Sequence, residues 1–223
     1  MVVLTDVIAR DLIRVLGLRV AIAKHETCLN LKPSETYHKL EEDGLFMPTP
    51  AIMTQHYTSV KAAVENGGIL EYSSGEPVTE ADVNDLYRRI VLGQKGGVWT
   101  HLDAFFVRGS GAQWLDMVTD HRAIMNGDEK QIVAWKREPL LPHVAKRVCF
   151  VDPVFNEQGL PTTTSNEQEY KLGKNLFYLA PVYGRVARFN AYSKVIVWDF
   201  DGAPNFSDNA LGVLACMRLR GHC

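Results

Sequence analysis

The texture of the second half of this chain constrains its fold more than any other feature. KQIVAWKR, RVCFVDPVF, NLFYLAP, GRVARFNAY, KVIVWDF and GVLACMRLRG are short runs rich in β-branched and aromatic residues, separated by Gly, Pro, Asn or Asp. No helical stretch intervenes between them, and strands joined by short turns pair antiparallel. The expectation is an α+β chain: a helical N-terminal third followed by a mainly antiparallel β-sandwich or partial barrel. Gly96-Gly97 marks the change of texture, giving a helix-rich region over 1–97 and a β-rich region over 98–223, read together as one compact unit.

In the N-terminal region, Thr5 is placed to cap a helix whose Ile8, Leu12, Val15 and Leu16 share a face and which Gly17 ends. LRVAIAK alternates like a strand, and KPSETYHKLEEDGLFMPTP reads as a long polar connection with room for one helical turn. Thr49 and Pro50 open a firmer helix with Met53, Tyr57, Val60 and Val64 on one stripe, closed by Asn66-Gly67-Gly68. Thr79 and Asp82 form the capping pair of another helix, with Val83, Leu86 and Ile90 as its buried stripe and Gly93 as its stop. GSGAQWLDMVTDHRAIMNGDEK is read as helical from Trp114, Leu115, Val118 and Met125, although Asn126-Gly127 is also a good hairpin turn.

Composition narrows the function classes. With 46% hydrophobic and 22% charged residues the chain is globular, and a net charge of -2 gives no bulk attraction for nucleic acid. MVVLTDVIARDLIRVLG lacks a basic n-region, and Asp6, Arg10, Asp11 and Arg14 interrupt its apolar residues, so neither a signal peptide nor a membrane span is expected. That pattern reads as a soluble protein made in the cytoplasm. Cys28, Cys149, Cys216 and Cys223 form no C-x-x-C pair, which argues against a zinc site built on sulfur. Cys216 and Cys223 are candidates for a cross-link in oxidising surroundings.

KVIVWDFDGAP resembles the first motif of the haloacid dehalogenase-type phosphatases, which would make Asp199 the nucleophile and Asp201 its proton partner. However, only GAPNFSDNALGVLACMRLRGHC follows, too little for the βα units of that sheet, and Ala203 stands where the family has a hydroxyl residue. The stretch is read instead as a strand ending at Phe200 and a turn on Asp201-Gly202. In GGVWTHLDAFF, a strand from Trp99 to Phe106 would point His101 and Asp103 the same way, to bind a metal with Asp120 or His121. The competing reading makes Thr100 and Asp103 a helix-capping box over Leu102, Phe105 and Phe106. Ser110 lies in Gly-Ser-Gly but not in a nucleophile elbow, and no phosphate-binding glycine loop is present. The aromatic run LFYLAPVYGRVARFNAYSKVIVWDF suits a core first, a protein interface second, and single-strand bases stacked beside Arg185 and Arg188 third.

No constellation outweighs its structural explanation, so neither a catalytic set nor a cofactor is expected. The function expected is that of a non-enzymatic structural subunit of a larger assembly, a virus or bacteriophage particle component of capsid, neck or tail. Its partners are copies of itself and other subunits, with both chain ends clamped by neighbours and no membrane or nucleic acid engaged. The alternatives are a small metal-dependent hydrolase built on His101, Asp103, Asp120 and His121, and a single-strand nucleic-acid binder on the β half.

Overall fold

The structure, a computed structural model, describes residues 12–94, 96–109, 114–126 and 129–219. Its first two short strands are β1 (Leu12–Arg14) and β2 (Val20–Ala23). The longer strands are β3 (Val98–Arg108), β4 (Leu115–Asn126) and β5 (Glu129–Pro139), followed by β6 (Val148–Val151) and β7 (Leu176–Leu179). The last three are β8 (Val186–Tyr192), β9 (Val195–Gly202) and β10 (Cys216–Arg218). Seven of them form one sheet in the order β5-β4-β3-β8-β9-β7-β6, and three form a second in the order β1-β2-β10. All neighbours run antiparallel except β7 and β9, which are parallel. The chain is thus mixed α/β with mostly strand content, 37% strand against 19% helix, and neither sheet closes into a barrel.

The centre of the large sheet follows directly from period-two alternation. Ala187, Phe189 and Ala191 of β8 and Ile196, Trp198 and Phe200 of β9 are all buried. Ser193 and Lys194, both with positive φ, make the tight turn between these strands. Against that face packs α2 (Pro50–Glu65), capped by the Thr49 hydroxyl accepting from the Ile52 N–H at 3.3 Å. Its Tyr57 meets Trp198 and Phe189 edge-on, with ring centroids 6.2 and 6.3 Å apart. The Trp198 indole N–H donates to the Gly159 carbonyl at 3.0 Å. Gly159 has φ +82, and a Cβ there would lie 2.4 Å from the carbonyl carbon of Pro50. Only glycine lets that loop pass between helix and indole.

Two expectations are corrected. The N-terminal third is not a helical block: β1 and β2 come first, and the helices α1 (Pro33–Glu42), α2 and α3 (Glu80–Leu86) follow, α3 running into a π-turn over Tyr87–Val91. Leu12 and Ile13 bury themselves by pairing with β2 across a turn at Gly17, whereas Leu16, assigned to the buried stripe, is 46% exposed. Thr5 and Ile8 lie outside the described residues. The polar segment after Lys32 is a ten-residue helix. Pro33 begins it, Glu35 accepts from the Lys32 N–H at 2.8 Å, and only Pro33, Thr36 and Leu40 are buried. So narrow a stripe gives almost no hydrophobic signal.

The second correction concerns the stretch read as helical from Trp114: it is strand β4. Its first four residues pair with β3 and Asp116 to Asn126 pair with β5, a partnership that no local propensity reveals. Trp114 is 90% exposed, not part of a core stripe. Beyond Val118, β4 leaves β3 and continues paired with β5 alone as a two-stranded ribbon.

The margins of the large sheet differ. β6 is covered by its own chain: the Ser165 N–H donates to the Phe150 carbonyl at 3.0 Å, and the Asp152 N–H to the Thr163 carbonyl at 3.0 Å. Among the described residues no backbone hydrogen bond joins β5 to any strand but β4. β10, from the end of the chain, pairs with β2 from its beginning.

Gly159→Ala is expected to lower stability by about 3 kcal/mol, because strain at positive φ adds to a backbone clash. Gly173→Ala, at φ +75 with open space around it, should cost only about 1 kcal/mol. Urea unfolding of the two variants checks the difference.

Candidate functional site

The densest polar arrangement lies where β3 and β4 part. The β3–β8 register shifts between His101 and Phe105, and the Asp103 N–H turns to the Pro48 carbonyl at 2.8 Å. On β4, Asp120 has φ +55, a left-handed residue within a strand. These two irregularities bring Asp103 and His121 together. One oxygen of Asp103 accepts from the Tyr37 hydroxyl at 2.8 Å and from His121 Nδ1 at 2.5 Å. The other accepts from the His121 backbone N–H at 3.1 Å.

The side chains of Asp103 and His121 are 5% and 13% exposed. Burial, and then the Asp103 charge beside it, push the Tyr37 hydroxyl well above its ordinary range, so it stays a donor. A carboxylate only accepts, so an imidazole proton is assigned to Nδ1, and Nε2 is the nitrogen that Asp103 does not engage.

The imidazole borders a cavity of about 280 Å³ that Leu40, Leu45, Phe46 and Met217 wall on the apolar side. At its polar side Asp120 accepts from Arg122 at 2.7 Å and from Arg218 at 3.2 Å. Both arginines hold Asp120 ionised, Arg122 through a hydrogen bond that outweighs the cost of burial. Arg122 lies over the Trp135 ring and Arg218 over Phe46, at 5.1 and 5.3 Å from the centroids.

Three of the four residues considered as metal ligands therefore share this cavity, but Asp103 is occupied by its donors and His101 goes elsewhere. His101 pairs across the sheet with Arg188, which in turn faces Asp199. Among the described residues no group of three or more His, Cys, Asp or Glu is arranged to hold a metal ion. Thr100 and Asp103 cap no helix; they lie in β3, and the Thr100 hydroxyl accepts from the Leu214 N–H at 3.0 Å.

Asp199 and Asp201 turn to different partners. Asp199 accepts from the Asp201 N–H at 2.9 Å, while the Asp201 carboxylate meets Arg147 and Arg185, each at 3.3 Å. β9 runs on through Gly202, two residues past the expected end, because Val186 of β8 pairs with Gly202. Arg188 is 6% exposed and bonded to the Ala203 carbonyl at 2.8 Å, so it is not presented to bases. Cys216 is fully buried and its thiol is pushed well up by burial; Cys223 and Ser110 lie outside the described residues. Tyr37, Arg122 and Arg218 were not picked out from the sequence. Tyr37 sits 66 positions from Asp103, with no local pattern to connect them.

Comparison with known proteins finds no match: no family model, no curated protein and no solved structure matches the chain. The reading of the site rests on its own geometry.

Two histidines away from the cavity give the fold a pH dependence. His56 in α2 is buried with neither ring nitrogen partnered among the described residues, and burial lowers it to about 4. His101 is lowered to about 4 by burial and then by the Arg188 charge, against a smaller opposite pull from the Leu31 backbone. Both folded values lie below the ordinary 6.5, so the unfolded chain binds protons first as the pH falls. Their contribution is complete above that value and is lost as the pH drops towards 4. Asp199, raised by burial, opposes this slope. Urea unfolding near neutrality and at about pH 4.5 should show a loss of about 2–3 kcal/mol for each histidine. His56→Leu should remove one such share of the slope.

Proposed function

We propose that this chain is a non-enzymatic structural subunit of a larger protein assembly, engaging its neighbours through the β4–β5 ribbon. The observation that carries the reading is the bare outer edge of β5. An unpaired strand edge is a row of donors and acceptors ready to add a strand from another chain, and soluble proteins normally guard it. Here charged residues stand at the two ends of the strand, Glu129 and Lys130 at the tip and Lys136, Arg137 and Glu138 with Pro139 at the base. The stretch between reads Gln131, Ile132, Val133 and Ala134. Trp135 is 63% exposed, and Ile124 on the facing strand is 36% exposed, which supplies apolar contact alongside the edge.

A two-stranded ribbon is marginal in water by itself, so an arm of this kind gains by being covered. The partners proposed are further copies of this chain and other subunits, in a virus or bacteriophage particle as the setting. The chain ends invoked for that setting lie outside the described residues, and the reading stands on the ribbon. No helix among the described residues is long and apolar enough to cross a membrane.

Sedimentation at about 10–100 μM, where contacts of micromolar strength populate, should give species heavier than the 25.0 kDa chain. Trp135→Glu should weaken association at least about tenfold, since truncating an interfacial aromatic anchor costs more than 1 kcal/mol. A monomer for the unaltered chain across that range would overturn the reading.

A further inference from the structure

We infer that the cavity beside His121 is a binding site for a small hydroxylated organic anion: an apolar carbon body, one anionic oxygen group and at least one hydroxyl. This goes beyond the subunit reading and does not depend on it.

The argument starts from the imidazole. Asp103 fixes the ring through Nδ1 and is itself saturated by Tyr37 and the His121 backbone. A histidine oriented so completely by a buried carboxylate presents one defined nitrogen, Nε2, which is an acceptor in the neutral tautomer. The group that complements a neutral imidazole acceptor is an O–H or N–H donor. The donors on the wall turn elsewhere, Tyr37 to Asp103 and both arginines to Asp120, so among the described residues none is directed at Nε2 and a ligand hydroxyl is the group that meets it.

The arginines supply the second element. Arg122 gives Nε and Nη2 to Asp120, and Arg218 gives Nη2. A guanidinium carries five N–H donors, so several remain unspent on each among the described residues. Arg218 is stacked on Phe46, and its side chain is 66% exposed at the mouth. Planar donor forks held in this way match a carboxylate or phosphate head group. Glu41, Asp103 and Asp120 on the same wall outnumber the two arginines, so the forks act locally on a singly charged head and a polyanion is disfavoured. The apolar side formed by Leu40, Leu45, Phe46 and Met217 takes the carbon skeleton of a small molecule.

The probe is 2-hydroxybutyrate, compared with butyrate and inorganic phosphate, on the full chain with ¹⁵N-labelled histidine. The expected result is saturable binding of the hydroxy acid that moves the His121 Nε2 resonance. Butyrate should bind at least about tenfold more weakly, the cost of leaving Nε2 without its donor. Arg218→Gln, at an exposed side chain and so safe for folding, should weaken the hydroxy acid by about tenfold or more. His121→Gln should abolish the preference for hydroxy acid over butyrate.

Equal binding of all three probes, or tighter binding of phosphate, would overturn the inference in favour of a plain anion cradle. Absence of saturable binding, or binding unchanged in both variants, would overturn it outright. Ile124→Glu, on the ribbon and outside the cavity lining, leaves these readouts untouched, so failure here and failure of the assembly reading are separate.

Discussion

A buried indole needs both a hydrophobic enclosure and one hydrogen-bond acceptor, and Trp198 imposes those two demands on the whole fold. Its ring is enclosed by Phe189 at 4.9 Å, Phe155 at 5.3 Å and Tyr57 at 6.2 Å between centroids. Its N–H reaches the carbonyl of Gly159. Those contacts come from the neighbouring strand, a returning loop and helix α2, three segments far apart in sequence. Meeting them fixes which face of β9 is inward, which fixes β8 by register and β3 by pairing with β8. The aromatic richness of the second half is therefore spent largely on one packed cluster.

Once that face is apolar, polar side chains gather on the opposite face and at the end where the sheet divides. His101, Arg188 and Asp199 occupy successive strands in one row. Burial pushes each towards its neutral form: His101 and Arg188 down, Asp199 up. The cavity forms beyond this row because β3 turns its Asp103 amide to Pro48 while β4 swings away through Asp120. A regular pair of strands at that point would have continued the ladder and left no opening. The two arginines on Asp120 then hold the bend, binding β4 to β10 at one side and to itself at the other.

Sequence legibility followed the range of the interactions. Helices α2 and α3 were readable from Thr49 with Pro50 and from Thr79 with Asp82, since capping is settled within four residues. The strands around Phe189 and Trp198 were readable because β-branched and aromatic alternation survives without knowledge of the partner. β4 was not, because its apolar residues fit either period and the choice is made by β3 and β5. Helix α1 was missed for the opposite reason: its buried face is a threonine, a leucine and a proline. Asp103, Asp120 and His121 were noticed as chemically capable, yet their relation was misjudged. It depends on a shifted register and one left-handed aspartate, and neither leaves a trace in residue type. His101, adjacent in sequence, was sent to the other partner by the same shift.

The unequal margins of the large sheet carry a consequence for stoichiometry. With β6 blocked by residues 163–165 and no strand but β4 paired to β5 among the described residues, a neighbour that extends the large sheet attaches at β5. If that neighbour is another copy offering its own β5, both margins are consumed in the same act, and the union is two-fold for this sheet. Growth of the large sheet through further copies would then stop at the pair, and a larger assembly would draw on other surfaces.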